Sequence, residues 1–200
     1  MKRIEKTGIF LVILFLWSCT AKEETELIDN VTVQPLNIRT SGDFKYLALG
    51  DSYTIGQGVN EKDRFPVQLS NILYSTGINI KQTRIIARTG WTTDALQNAL
   101  QNENLNEIFD FVTLLIGVNN QYNGRDTSEF RTHIQDLLVT SVKLTGENPK
   151  RLIVLSIPDY GVTPFGSAFN PEKISKEIDT FNTIKRGNCL NILSIWKMSC

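Results

Sequence analysis

Histidine is almost absent from this 200-residue chain, which contains only His133. Cysteine is scarce as well, with three residues, and no Cys/His cluster has the spacing of a metal site. Neither charge sign dominates, because 21 Lys and Arg are balanced by 21 Asp and Glu. A nucleic-acid-binding surface is usually basic, so this balance argues against one. These absences predict a protein without a bound metal ion and without a nucleic-acid partner.

Glycine motifs that cradle phosphates are also missing. A dinucleotide-binding domain carries G-x-G-x-x-G directly after a strand, whereas Gly50 is followed by Gly56 and Gly58. The sequence contains no G-x-x-x-x-G-K-[ST] motif either. We therefore predict no cofactor, and a flavin- or nucleotide-binding module stays open only as a remote alternative.

The longest apolar run lies at residues 8–17 and follows three basic residues. It is too short to cross a bilayer and has the form of a secretory signal. The tract Leu-Trp-Ser-Cys that ends at Cys19 resembles the lipobox of bacterial lipoproteins, in which the cysteine becomes lipidated. We therefore expect residues 1–19 to be a lipoprotein signal peptide and Cys19 to anchor the protein to a membrane of the bacterial cell envelope. A short hydrophobic hairpin or a stop-transfer helix is the alternative.

Residues 20–42 are polar and irregular, and they are predicted to link the membrane to the folded domain. The remaining cysteines, Cys189 and Cys200, could pair outside the cytoplasm. Because Cys200 is the last residue of the sequence, where fraying is expected, we predict no structural disulfide.

Residues 43–184 alternate between strand-like and helix-like patterns. The predicted strands are residues 45–49, 78–87, 111–116 and 151–157, and the predicted helices are residues 66–75, 93–102, 126–146 and a segment that begins at 170. The third strand is an unbroken β-branched and aliphatic run, which is typical of a parallel strand buried on both faces. The alternation predicts an α/β fold with a flavodoxin-like, doubly wound parallel sheet in three α/β/α layers.

Short motifs follow the first three predicted strands: Gly50-Asp51-Ser52, Arg88-Thr89-Gly90-Trp91 and Gly117-Val118-Asn119-Asn120. Ligands of such folds bind beyond the carboxyl ends of the strands, where these loops should meet. Acyl transfer from an ester needs a nucleophile and at least two hydrogen-bond donors aimed at the developing oxyanion. Ser52 offers a hydroxyl, Gly90 a backbone N–H and Asn119 a side-chain amide. Each of them alone could instead be an ordinary cap or turn residue.

Together the motifs resemble those of the SGNH or GDSL-type hydrolases, over about residues 43–181. The resemblance implies that Ser52 is the nucleophile and that Gly90 and Asn119 are oxyanion-hole donors. It also implies an esterase or lipase that acts on acyl or acetyl esters of lipids or carbohydrates through an acyl-enzyme on Ser52. Further predicted contacts with substrate are those of Asp51, Trp91 and Asn120, with residues 122–123 and 165–169 as pocket walls.

The sequence departs from this family where a base is expected. These hydrolases take their His and Asp from a D-x-x-H block after a fifth strand, and the sequence contains no such block. His133 lies on a predicted helix and Asp159 in a predicted loop, and we expect neither to be the base. Residues 185–200 contain no acidic side chain and are predicted to be an atypical C-terminal tail. We therefore expect about four strands with the fifth missing, in an apparently truncated family member.

Loss of one member of a serine triad typically lowers turnover by about 10⁴ to 10⁶. The hypothesis that follows is a hydrolase that is inactive or weakly active. Two alternatives stay open. The chain could be a genuine short variant, or it could be a non-catalytic surface lipoprotein that binds a glycan or lipid in the same cleft, a function that needs no base.

Overall fold

The computed structural model describes residues 42–103 and 105–197. These ranges fall within the second of the two units into which the chain divides, residues 37–200. The predicted signal peptide at residues 1–19, with its lipidation site Cys19, lies outside the described residues, as do Cys200 and all but the last residue of the predicted linker. Within the described ranges, no helix is both long enough and apolar enough to cross a membrane.

Four strands and six α-helices make up the described part of the chain. The strands are β1 (Phe44–Gly50), β2 (Ile80–Ala87), β3 (Phe111–Leu115) and β4 (Leu152–Val154). The helices are α1 (Ser52–Ile55), α2 (Phe65–Ser75), α3 (Thr93–Asn102), α4 (Val118–Tyr122), α5 (Thr127–Leu144) and α6 (Pro171–Lys197). Short 3₁₀ turns occupy Glu61–Asp63, Pro149–Arg151, Tyr160–Val162 and Gly166–Ala168.

Local sequence signals explain several helix boundaries. Pro66 lies in the first turn of α2, where its missing N–H costs no hydrogen bond. Asp126 caps α5, because its carboxylate accepts the N–H of Ser128 at 2.7 Å. Thr92 stands at the start of α3, but its hydroxyl donates to the carboxylate of Asp94 at 2.6 Å rather than capping the helix.

The strands form one parallel sheet in the order β2-β1-β3-β4. At its carboxyl edge, Gly50 of β1 pairs with Ala87 of β2 on one side and with Leu115 of β3 on the other. The residues that follow these three strands therefore emerge side by side. The prediction of a doubly wound parallel sheet with four strands is confirmed.

Helices flank both faces of the sheet, in a three-layer α/β/α arrangement. The connection from β1 to β2 crosses the sheet in the opposite direction to the connections from β2 to β3 and from β3 to β4. Because such crossovers are right-handed, α2 lies on one face and α3 and α5 lie on the other. α5 packs against both α3 and α6, so the second face carries three neighbouring helices.

The main hydrophobic core lies beneath these three helices. Leu47 of β1 and Leu114 of β3 belong to it and are completely buried. Phe130 of α5 is also completely buried, and its ring centroid lies 4.6 Å from that of Phe181 on α6. Packing against these three helices holds the strands in place, and it thereby restricts the turns at the carboxyl ends of the strands.

α6 extends further than predicted. The sequence pattern placed the domain boundary at residue 184 and a separate tail at residues 185–200, whereas the helix continues without interruption to Lys197. Ile184, Lys185 and Ile192 all lie on its buried side. The Lys-Arg-Gly-Asn tract at residues 185–188 is a weak helix signal, and packing of the apolar side of α6 overrides it.

β4 is shorter than the predicted strand at residues 151–157. Asn182 of α6 binds both the N–H and the C=O of Ile157, at 2.8 Å and 3.0 Å, so this backbone pairs with a side chain and not with a strand. No other strand of the described residues pairs with the outer side of β4. A cavity of about 290 Å³ lies between this edge and α6; it is lined by Leu152, Val154, Leu155, Ser156, Asn182, Lys185, Arg186 and Cys189.

Candidate active site

The predicted nucleophile, Ser52, is the first residue of α1 and follows β1 after a single residue, Asp51. The turn is tight at Gly50, where an added Cβ would lie 2.0 Å from the Thr54 hydroxyl oxygen and 2.3 Å from the carbonyl oxygen of Leu115. Ser52 is half-buried, and its hydroxyl makes no hydrogen bond within the described part of the chain. The hydroxyl is therefore positioned by the backbone and free to meet a ligand.

Gly90 lies in the turn after β2. The N–H of Trp91 donates to the carbonyl of Arg88 at 3.2 Å, and Gly90 has a φ of +83°, as expected at the third position of a type II turn. An added Cβ at Gly90 would meet no atom within 4 Å. Glycine is required here by the backbone conformation, while the space beside it stays open.

The loops after β2 and β3 meet through Asn119. Its side-chain amide donates to the carbonyl oxygen of Trp91 at 2.9 Å. An amide nitrogen carries two N–H groups, so one remains for a ligand oxygen. The meeting of the second and third motifs, which the sequence predicted from strand order, is thus present in the structure.

Asn120 is completely buried, unlike its half-buried neighbour Asn119. Its amide donates to the hydroxyl of Thr93 at 2.9 Å, and its carbonyl oxygen accepts the N–H of the same residue at 3.0 Å. Both ends of the side chain are therefore used to fasten α4 to the start of α3. This geometry favours a positioning role for Asn120, and the predicted contact with substrate stays a prediction, as it does for the half-buried Trp91.

Asp51 lies behind the nucleophile and is 1% exposed. Its carboxylate accepts the N–H of Tyr53 at 3.1 Å and so caps α1. Burial raises the pKa of Asp51 to about 6, against the opposing effects of the Tyr53 N–H, the charge of Lys185 and the N–H of Gly117. With so little exposed surface, Asp51 is suited to orienting the turn after β1; its predicted substrate contact stays a prediction.

Sequence reasoning did not single out Lys185. Its ammonium group is buried in α6 and donates to the carbonyl oxygens of Ile116 at 3.1 Å and Leu155 at 2.6 Å. These carbonyls belong to the residues directly after β3 and β4. The sequence did contain a signal, because Lys185 comes four residues after Phe181 on the apolar side of the helix.

His133 and Asp159, the two candidate bases that the sequence disfavoured, make no hydrogen bond to the proposed nucleophile. The Nδ1 atom of His133 lies 4.0 Å from the carboxylate of Glu129, one turn earlier on α5. Asp159 accepts the N–H of Gly161 at 2.7 Å and the hydroxyl of Ser175 at 2.6 Å, and it thereby connects a loop to α6. Neither makes a hydrogen bond to Ser52. Within residues 42–103 and 105–197, no three His, Cys, Asp or Glu side chains are grouped so that they could hold a metal ion.

The segments predicted as pocket walls form an exposed aromatic cluster. Tyr122 lies one helical turn after Asn119, and its ring centroid is 6.3 Å from those of Tyr160, Phe165 and Phe169. More than half of the surface of Tyr122, Phe165 and Phe169 is exposed. Tyr53, directly after Ser52, is near this cluster: burial raises its pKa, with smaller contributions from the charges of Asp51, Tyr160 and Asp159.

Several solved structures are similar to this chain. AlinE4, described as an SGNH-hydrolase family esterase, is 20% identical over 78% of this chain and 74% of its own, with a TM-score of 0.54. TesA is 14% identical over 74% of both chains, with a TM-score of 0.59. A lipase/acylhydrolase from Enterococcus faecalis is 20% identical over 72% of both chains, with a TM-score of 0.54. At these identities the likeness shows a shared fold.

A search of curated proteins gave no significant match. The model of the GDSL-like Lipase/Acylhydrolase family, in contrast, matches residues 48–189, which include all three motifs and most of α6. This match covers more than half of the 200 residues. The chain therefore belongs to the GDSL-like lipase/acylhydrolase family of acyl and ester hydrolases.

Proposed function

We propose that this protein is a serine hydrolase of acyl or acetyl esters of lipids or carbohydrates, with Ser52 as its nucleophile and Gly90 and Asn119 as oxyanion donors. The observation that carries the proposal is the convergence of three turns at one edge of the sheet. Ser52 presents an unengaged hydroxyl there, the Asn119 amide is held by the Trp91 carbonyl, and open space adjoins Gly90.

The proposed reaction has two steps. The Ser52 oxygen forms a bond to the ester carbonyl carbon, the bond to the alcohol breaks, and the hydroxyl proton ends on the departing alcohol. Water then cleaves the acyl–serine bond, releases the acid and returns a proton to Ser52. In both steps the carbonyl oxygen becomes negative, and N–H groups at Gly90 and Asn119 would stabilise it.

Turnover is expected to be weak, because the proton of Ser52 has no acceptor beside it in the described residues. The sequence contains one histidine, His133 on α5, whose Nδ1 atom lies 4.0 Å from the carboxylate of Glu129. Without a base, a serine hydrolase retains only the contribution of its oxyanion hole and of binding, roughly 10³ to 10⁴ over the uncatalysed reaction. We therefore propose an impaired enzyme whose nucleophile and oxyanion donors are in place.

Hydrolysis of p-nitrophenyl acetate by the full chain tests this proposal when imidazole is added as an external base. We expect slow hydrolysis that imidazole accelerates by way of Ser52, after subtraction of the reaction of imidazole with the ester alone. Ser52→Ala should abolish this enzyme-dependent part. Ser75→Ala, at the exposed end of α2, is the matched serine control and should leave it unchanged.

Equal rates for the wild type and Ser52→Ala, with and without imidazole, would contradict the hydrolase proposal. Fast turnover by the wild type without imidazole would contradict only the proposed impairment. In that case, His133→Ala and Asp159→Asn become the next variants to measure.

A binding function in the same cleft is the second candidate. The aromatic cluster of Tyr122, Phe165 and Phe169 supports it, since exposed rings beside a polar cleft suit a sugar face or an acyl chain. Binding needs no base, so the arrangement around Ser52 is compatible with it. Saturable binding of a glycan or lipid that persists in Ser52→Ala, with no turnover in either form, would favour this candidate.

We also propose that the protein is attached by a lipid on Cys19 to a membrane of the bacterial cell envelope. The support comes from the sequence, namely the basic start, the apolar run at residues 8–17 and the lipobox-like tract that ends at Cys19. Labelling of growing bacterial cells with a clickable fatty acid should mark the protein, and Cys19→Ala should remove the label. An unlabelled wild-type protein would contradict the anchor.

A further inference from the structure

Asp51, next to the proposed nucleophile, and Lys185 are two buried side chains of opposite charge that act on each other without a direct ion pair. Asp51 is 1% exposed and Lys185 is 2% exposed, and the charge of each shifts the pKa of the other towards the charged form. The two residues come from opposite ends of the domain, Asp51 from the turn after β1 and Lys185 from α6. Their meeting is therefore a product of the tertiary fold.

Each member of the pair holds backbone that leads directly into the site. The Asp51 carboxylate accepts the N–H of Tyr53, the residue after Ser52, at 3.1 Å. The N–H of Gly117, which begins the motif containing Asn119, is near enough to lower the pKa of Asp51. The Lys185 ammonium donates to the carbonyl of Ile116, directly before Gly117. The Ile116 carbonyl, directly before the motif containing Asn119, is thus held by Lys185, while Asp51 holds the turn that carries Ser52.

The pair does not stabilise the fold as a pair of charges. Burial raises the pKa of Asp51 to about 6 and lowers that of Lys185 to about 8, so for both residues desolvation outweighs the mutual attraction. The charge of Cys189, one turn further along α6, also affects the pKa of Lys185. The residues after β3 and β4 present neutral carbonyl oxygens to the Lys185 ammonium group. Burying the charges of Asp51 and Lys185 costs free energy, and Asp51 lies in the turn that carries Ser52. We therefore expect these charges to contribute to the reaction.

We propose that Lys185 is a positioning residue for acyl transfer: its ammonium group holds the Ile116 carbonyl and offsets the charge of the nearby Asp51 carboxylate, and so aligns the Asn119 amide with Ser52. The inference rests on the proposed hydrolase function, since alignment matters only if Ser52 reacts. Lys185 itself touches neither substrate nor Ser52; it acts through Asp51 and the Ile116–Gly117 peptide.

The consequence is a defined pH window. Below about pH 6, Asp51 becomes protonated and its neutral form is a weaker acceptor for the N–H of Tyr53. Above about pH 8, Lys185 loses its proton and leaves the Asp51 charge without a counter-ion. Reactivity of Ser52 should therefore be greatest between these values and fall on both sides.

Labelling by a fluorophosphonate, with neutral imidazole held at a constant concentration as the external base, tests the inference on the full chain without turnover. The Ser52 oxygen forms a bond to phosphorus, fluoride leaves and the hydroxyl proton passes to imidazole. We expect Lys185→Met, which keeps similar volume, to be labelled roughly tenfold more slowly at pH 7, because small misplacements of a nucleophile are costly. Its pH profile should also lose the fall above pH 8. Lys176→Met, on the exposed side of α6, is the matched control and should label like the wild type.

The outcomes separate the two proposals. If the wild type is labelled no faster than Ser52→Ala, the hydrolase proposal is overturned and the role of Lys185 is overturned with it. If the wild type is labelled through Ser52 and Lys185→Met reacts equally fast with the same pH profile, only the Lys185 inference fails. Should Lys185→Met not fold, Lys185→Arg decides, because arginine keeps its positive charge at every pH measured: loss of the fall above pH 8 supports the inference, and an unchanged profile overturns it.

Discussion

The centre of the sheet and its outer edge use similar aliphatic residues in different surroundings. By the centre we mean β1 and β3 with the turns that follow them, and by the outer edge we mean β4. Leu114 of β3 is completely buried, whereas Ile153 on the adjacent strand is 46% exposed. An aliphatic run therefore indicates a strand, while the neighbours of that strand determine how much of it is buried.

The proposed site lies at the centre, and the physical reason is rigidity. A nucleophile and its oxyanion donors must be held within a fraction of an ångström, which requires turns whose backbone cannot shift. Gly50 is packed against Thr54 and Leu115, and Asn120 is bonded twice to Thr93. At the outer edge, by contrast, a cavity of about 290 Å³ adjoins β4.

Truncating one aliphatic side chain in each region is the strongest test of this difference. Leu114→Ala should lower the free energy of unfolding by about 2 to 5 kcal/mol, since it leaves a cavity in the main core. Ile153→Ala should cost less than about 1 kcal/mol because its side chain is half exposed. Urea unfolding followed by circular dichroism measures both values. Equal losses would show that edge and centre are packed alike.

Adding a methyl group, instead of removing atoms, tests how tightly the turn after β1 is packed. Gly50→Ala should destabilise the protein by about 3 kcal/mol or more, because the new Cβ would overlap the Leu115 carbonyl oxygen. Gly187→Ala, in α6 with no atom within 4 Å, should instead stabilise it by about 0.5 to 1 kcal/mol. Thermal unfolding of the two variants beside the wild type gives the signs. A tolerated Gly50→Ala would mean that the nucleophile turn is less tightly packed than described.

The pH dependence of stability distinguishes the buried carboxylate at the centre from an exposed one. The pKa of Asp51 rises from 3.8 to about 6 on folding, so between these values the folded state binds more protons than the unfolded state. The free energy of unfolding should therefore fall as the pH rises through this range, by about 2 to 3 kcal/mol for this group. Asp51→Asn should remove that fall in urea titrations at pH 4, 5, 6 and 7.

Asp126 is the control of opposite sign. Hydrogen bonds from Ser128 lower the pKa of this exposed cap of α5, so its contribution to stability is present at neutral pH and is lost as the pH falls through its folded-state pKa. Asp126→Asn should remove a rise in stability with pH rather than a fall. The same change of slope in both variants would contradict the assignment of Asp51 as a carboxylate destabilised by burial.

Much of the site could be predicted because it follows directly from strand ends. Ser52, Gly90 and Asn119 each come within a few residues of a strand, and parallel strands bring their carboxyl ends to one edge. Lys185 could not be predicted in this way, because it is separated from Asp51 by 134 residues and its partners are backbone carbonyls. Carbonyl groups have no sequence signature.

The sequence by itself determined the order of strands and helices, the glycines of the tight turns and the family to which the chain belongs. These depend on local patterns and on short motifs of neighbouring residues. The tertiary structure decided the burial of Asp51 with Lys185, the continuation of α6 beyond residue 184 and the open outer side of β4. The reason is that burial, desolvation and the pairing of a strand edge depend on what lies across space from a residue, and distant parts of the chain supply it.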